Sequence, residues 1–163
     1  MSTARIAGIF YVLVFVTGSL ALVGGPVGSV AMPIAGALYV VVTVLLYRLF
    51  KPVNPTVSLV AACVSLAGIV VGPLRVLPVN ALVFFGLYCL LIAYLSCRSK
   101  FVPRTVAVLM MFAGLGWLTF ASSSLTHSLF PFNFLPGLIG EAALTCWLLF
   151  TRANEPPARV VHA

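Results

Sequence analysis

Read for polarity, the chain is a succession of long apolar runs separated by short breaks rich in proline, glycine and basic residues. Runs of about 18 residues or more, enough helix to cross about 30 Å of hydrocarbon, recur at 6–23, 30–50, 56–74, 80–97, 105–123 and 136–152. Gly24, Gly25, Pro26 and Gly28 end the first run, Pro52 and Pro55 the second, and Pro73, Arg75 and Pro78 make a turn after the third. Asn80 stands where a side-chain cap would open the fourth run. Because backbone groups inside a bilayer must be satisfied within the segment, such runs predict helices. The expected fold is all-α: a polytopic membrane protein with six transmembrane helices in one domain, 1–152, followed by a flexible cytoplasmic tail, 153–163. A cleavable leader is the competing reading of the first run, but its apolar core is long for that role and no A-x-A site follows.

Composition agrees with the pattern. Of the 163 residues, 63% are hydrophobic and 7% charged, too little polar surface to cover a water-soluble globule. The net charge of +7 would suggest nucleic acid in a soluble protein. Here the basic residues sit at run ends, which makes them a topology signal and leaves no nucleic-acid patch. Arg5, Arg48, Lys51, Arg98, Lys100, Arg104, Arg152 and Arg159 fall on one side of the six-span drawing and Arg75 alone on the other. By the positive-inside rule both termini are expected in the cytoplasm, with connectors 24–29, 73–80 and 124–136 facing outward from a bacterial inner membrane.

An internal echo fits the same drawing. A shift of 49 residues places Leu38 and Tyr39 on Leu87 and Tyr88, Lys51 on Lys100, Val53 on Val102, and Thr56 and Val57 on Thr105 and Val106. Spans two and three would then be a parallel repeat of spans four and five.

Candidate chemistry centres on Glu141, the one acidic residue ahead of the tail. A charge in hydrocarbon costs several kcal/mol, so an acid there is expected to face the protein interior and a partner, or to carry a proton. Pro136 suits the first turn of a helix. A start there puts the carboxyl about 7 Å below the outer helix end, and a start at Pro131 about 15 Å, at 1.5 Å per residue. The shallow placement, near the level of Arg75, His127, Asn80 and Ser122, is expected. These five residues form the candidate binding site, with Glu141 paired to Arg75 or hydrogen-bonded to hydroxyls. The bland alternative is that Glu141 only locks helix packing.

A lipid-directed hydrolase or transferase is the reading from another class, with a serine among 122–124 as nucleophile, His127 as base and Glu141 orienting it. No nucleophile-elbow motif supports it, and no catalytic residue is assigned. No cofactor is expected, since phosphate loops, nucleotide fingerprints and haem-type histidine pairs are absent from the sequence. His127, Glu141 and the cysteines make no metal-ligand spacing. Cys63, Cys89, Cys97 and Cys146 form no C-x-x-C pair and read as small core hydrophobes, with Cys97, beside Arg98, the most reactive in prospect. Tyr11, Tyr39, Tyr47, Tyr88, Tyr94, Trp117 and Trp147 read mostly as interface anchors or packing residues, ligand stacking being the minority reading. Gly68 and Gly72, four apart, would let another helix come close.

The chain resembles the bacterial multi-pass membrane family known as domain of unknown function 4386. The resemblance rests on ARIAG at 4–8, ALY at 37–39, KPVN at 51–54, RSKFVPR at 98–104, GLGWL at 114–118 and GEAALTCWLL at 140–149. The portion from Gly86 to Phe150 is the more specific. It implies fold and membrane location rather than a reaction, and places any shared site at Glu141 and at the Arg98–Arg104 turn, which also fits a topology anchor. The Gly24–Ser29 connector is shorter than the resemblance would suggest. The expected function is a non-enzymatic binding, transport-like or structural component with an outward-facing polar pocket. Its expected partners are the lipid bilayer and, through self-association or another membrane protein, a neighbour in the membrane.

Overall fold

With no water in the hydrocarbon layer to hydrogen-bond a bare backbone, these runs resolve into helix almost from end to end. The computed structural model describes residues 2–74 and 80–151. Its helices are α1 (Thr3–Leu22), α2 (Gly25–Phe50), α3 (Pro55–Leu74), α4 (Ala81–Arg98), α5 (Arg104–Leu118), α6 (Ser123–Leu129) and α7 (Phe134–Phe150), and a 3-10 turn, Thr119–Ala121, prolongs α5. Five helical segments are long and apolar enough to cross a membrane, and a sixth span is completed when α6 and α7, bent by 82°, are taken as one. No strand occurs among the described residues.

Side-chain caps and left-handed glycines set several of the boundaries. Asn80 caps α4, its Oδ1 accepting from the Leu82 N–H at 3.0 Å, and Asn54 does the same for α3 through Val57 N–H at 3.0 Å. Two boundaries differ from the expected ones. The 24–29 stretch is not an extended connector, because α2 already begins at Gly25. Gly24 and Gly25 take positive φ, 74° and 61°, a region open to glycine without a Cβ penalty. Pro26 then occupies the first turn, where its missing N–H leaves no bond unmade. The 124–136 connector likewise contains α6, opened by Ser122, and α7 starts at Phe134, ahead of Pro136.

The helices form a closed ring in chain order: α1 packs on α2, α2 on α3, α3 on α4, α4 on α5, α5 on α7, and α7 back on α1. Small residues bring the axes together, since helix association in lipid depends on close packing rather than on expulsion of water. At the α4–α5 crossing, a Cβ on Gly86 would meet the Gly114 carbonyl at 3.0 Å, and one on Gly114 the Gly86 carbonyl at 2.9 Å. Gly68 and Gly72 both face α4, at Phe84 and Ala81. Gly8 admits Leu149, closing α1 on α7.

Arg5, Arg48, Lys51, Arg98, Lys100 and Arg104 all lie at one end of the ring, here the basic end. On α1 and α2 the buried positions gather in that half. Buried positions on α1 stop at Tyr11, and on α2 none is buried between Ala31 and Tyr39, whereas Val42, Leu46 and Phe50 are fully buried beyond it. Phe50, Phe101 and Trp147 stack across the basic end with centroids 5.7 and 5.9 Å apart. Among positions 49 residues apart, Tyr39 and Tyr88 are both buried, as are Leu46 and Leu95, whereas Val44 is exposed and Ala93 buried.

Candidate functional site: a buried carboxyl inside the helix ring

Glu141 is seven residues into α7, about 10 Å along a helix that rises 1.5 Å per residue. Its neighbours Tyr11 and Cys89 lie near the middles of α1 and α4. The carboxyl is therefore deeper than the shallow expectation, because α7 starts two residues ahead of Pro136 and the groups it meets are mid-helix. It is buried, 8% exposed.

Three other helices supply its hydrogen-bond donors. From α5, the Trp117 indole Nε1–H donates to Oε1 at 2.9 Å. From α1, the Tyr11 hydroxyl donates to Oε2 at 3.4 Å. From α4, the Cys89 thiol makes a weak contact with Oε1 at 3.8 Å. Tyr11 also lies 3.4 Å from the Tyr39 hydroxyl of α2, so the polar chain runs Trp117, Glu141, Tyr11, Tyr39 across four helices. An indole N–H can only donate, which fixes Oε1 as the accepting oxygen.

The site is possible only because of the residue one turn earlier. A Cβ on Gly137 would run into the indole atoms Cε2, Cζ2 and Nε1 of Trp117. Gly140, next to Glu141, likewise admits the Leu109 carbonyl and Ala113 of α5. The two glycines let α5 lie against α7 closely enough for the indole to reach the carboxyl.

Aromatic rings surround the polar chain. Tyr39 meets Tyr11 edge-on at 5.9 Å, Tyr88 at 6.2 Å and Phe85 at 5.1 Å. Tyr88 is 1% exposed and its hydroxyl has no hydrogen-bond partner among the described residues. Toward the opposite end the cluster continues through Trp117, Phe120 and Phe134, with centroids 5.0 to 6.1 Å apart. A separate bond, Thr43 to Ser65 at 2.8 Å, ties α2 to α3.

Of the expected site residues, only Glu141 is in this cluster. Asn80 is exposed and occupied in capping α4. Ser122 caps α6, its Oγ accepting from Leu125 N–H at 3.5 Å, and His127 is exposed on α6. All three belong to the helix ends opposite the basic end, a level above the carboxyl. Arg75 lies outside the described residues. Ser122 and Glu141 share no hydrogen-bond partner among the described residues. No group of three His, Cys, Asp or Glu side chains suited to a metal occurs among the described residues.

Tyr11, Tyr39, Tyr88, Cys89 and Trp117 are the members that sequence reasoning treated as anchors or plain packing. One signal pointed at two of them: the 49-residue echo sets Tyr39 on Tyr88, and both turn inward.

Ring and cluster together define an all-helical, multi-pass membrane protein with a carboxyl held in its interior by neutral donors. Residues 79–151, which carry α4, α5 and α7 with Cys89, Trp117 and Glu141, match the family described as Domain of unknown function (DUF4386), and the resemblance read from the sequence holds over that stretch. No curated protein and no solved structure matches the chain.

Proposed function

We propose that the protein is a non-enzymatic binding or transport component of the membrane, with a polar pocket around Glu141 that opens away from the basic end. On this reading both termini are cytoplasmic in a bacterial inner membrane and the pocket faces outward, as the distribution of Lys and Arg favours. Self-association, or association with another membrane protein, belongs to the same proposal.

The observation that carries it is Glu141 itself: an acid at mid-depth, bonded to Trp117, Tyr11 and Cys89, with no cation among those partners. Ionisable groups inside membrane proteins are costly and commonly mark ligand or ion pathways. The uneven burial supports the outward direction. The basic half is filled by Leu46, Leu95, Leu148 and the Phe50, Phe101 and Trp147 stack. Glu141, Tyr39 and Trp117 each keep 8% of their surface.

Ligand-induced thermal stabilisation of the purified protein tests the proposal against a panel of small polar compounds. Stabilisation that disappears in Glu141→Gln is expected. If that variant keeps the wild-type folding, stability and ligand response, a charge-dependent role for Glu141 is refuted.

A further inference from the structure

We infer that the basic end of the ring is a docking surface for an anionic phospholipid, whose phosphate is held across the α2–α3 and α4–α5 loops. This reading is independent of the Glu141 pocket and begins from charge. The chain has nine Lys and Arg side chains against two acids, Glu141 and Glu155. Glu141 is buried at mid-depth and bonded to Trp117 and Tyr11. Glu155 of the tail is then the one acid side chain left to answer Arg48, Lys51, Arg98, Lys100 and Arg104, all of which are exposed. A second copy of the chain would bring the same excess, so self-association cannot neutralise this end.

The two loops present their charges together and on a fixed backbone. Phe50 and Phe101, the sequence neighbours of Lys51 and Lys100, stack with centroids 5.7 Å apart, and Trp147 of α7 lies 5.9 Å beyond Phe101. Val102 is buried. Its N–H donates to the Ser99 Oγ at 3.2 Å, and that hydroxyl donates to the Ser96 carbonyl at 2.8 Å.

Exposed charges in water need no partner, and what points to a lipid is the surface beneath them. On α2, Val44 and Val41 follow Arg48 along one face, and on α5, Val108 and Met111 follow Arg104; all four apolar side chains are exposed. Spacings of four and then three residues align each set along its helix. On α4 the Arg98 guanidinium lies 5.5 Å from the ring centroid of exposed Tyr94, and on α2 the Lys51 ammonium lies 5.8 Å from that of Tyr47. Tyrosines at helix ends mark the level of the headgroups. The surface is therefore cationic at headgroup level and apolar over the acyl layer, which matches an anionic phospholipid along its whole length and a soluble anion only at the head.

The test uses the full chain in a neutral detergent, with dioleoyl phosphatidylglycerol and dioleoyl phosphatidylcholine as probes that differ only in the headgroup. Native mass spectrometry counts bound lipid, and the melting temperature follows its effect on the fold. Phosphatidylglycerol is expected to bind at least about tenfold more tightly than phosphatidylcholine and to raise the melting temperature, an effect that about 0.5 M salt diminishes. Lys51→Gln combined with Lys100→Gln is expected to weaken phosphatidylglycerol about tenfold or more, while Lys51→Arg with Lys100→Arg keeps it bound. Arg5→Gln, which removes one charge from α1 outside the two loops, should cost less than Lys100→Gln alone. Each replaced side chain is exposed, and the melting temperature without lipid reports that each variant has folded.

Equal binding of the two lipids, an affinity untouched by the double glutamine variant, loss of binding in the double arginine variant, or a loss in Arg5→Gln equal to that in Lys100→Gln each overturns the assignment. Inorganic phosphate that raises the melting temperature as much as phosphatidylglycerol does would make this a site for a free anion. A soluble oligoglutamate peptide that binds more tightly than phosphatidylglycerol, and loses that binding in the double glutamine variant, would make it a surface for an acidic protein. Either result overturns the lipid as occupant.

Discussion

Gly137→Ala adds one methyl group where the indole of Trp117 already stands. The new Cβ would meet Cε2, Cζ2 and Nε1 of that ring, and Trp117, 8% exposed between Phe120 and Phe134, has little room to retreat. Overpacking of this kind costs about 1–3 kcal/mol. Displacing the indole also lengthens its 2.9 Å bond to Glu141, and side-chain hydrogen bonds between membrane helices contribute about 0.6 kcal/mol on average and about 1.7 at most. Against this, replacing a mid-helix glycine by alanine gains about 0.5–1 kcal/mol. The net expectation is a loss of about 1–3 kcal/mol, read by reversible unfolding in mixed micelles.

Gly18→Ala on α1 is the matched control, because a Cβ there meets nothing within 4 Å. It should be neutral or stabilising by up to about 1 kcal/mol. Combining Gly137→Ala with Trp117→Phe should recover part of the loss, since the smaller ring leaves space for the methyl group. Equal stability of Gly137→Ala and Gly18→Ala would refute the account of how α5 and α7 meet.

Other outcomes follow from single contacts. Thr43→Val removes the 2.8 Å bond to Ser65 and should cost about 0.6–1.7 kcal/mol in the same assay; no loss would mean that α2 and α3 are held by apolar packing alone. Tyr11→Phe removes two long bonds of 3.4 Å and should cost less than about 1 kcal/mol, because hydrogen bonds weaken with distance; a loss matching that of Trp117→Phe would reverse the assigned order of donors. Cys89 is buried and Cys97 exposed at the basic end of α4, so a membrane-impermeant maleimide should label Cys97 from the cytoplasmic side and leave Cys89 unmodified. Labelling of Cys97 from outside would invert the proposed orientation.

The spans were legible because length and continuous apolarity suffice to announce a membrane helix. Their ends were less so. Gly24 to Ser29 look like a short connector in sequence, yet two left-handed glycines followed by a first-turn proline let α2 begin already at Gly25. Glu141 drew attention as the lone acid among apolar residues, but its partners did not. Helices that are apolar all round carry no periodic stripe to say which face turns inward, so Tyr11, Tyr88 and Trp117 could not be told from tyrosines and tryptophans anchored at the interface. Their inward orientation follows from where Gly86, Gly114, Gly137 and Gly140 let neighbouring helices approach, which is a property of pairs of helices rather than of any one run. Asn80 was legible as a helix cap, whereas Ser122, expected in the site, instead satisfies the backbone at the start of α6.

The most direct test of the central claim is the indole N–H resonance of Trp117 in the protein labelled with ¹⁵N-tryptophan in micelles. With Trp117 and Trp147 the only tryptophans, two indole signals are expected, and Trp147→Phe assigns them. The account predicts that the Trp117 N–H resonates downfield, resists exchange with deuterium and moves on Glu141→Gln while Trp147 stays in place. A Trp117 signal that exchanges freely and ignores that substitution would contradict it.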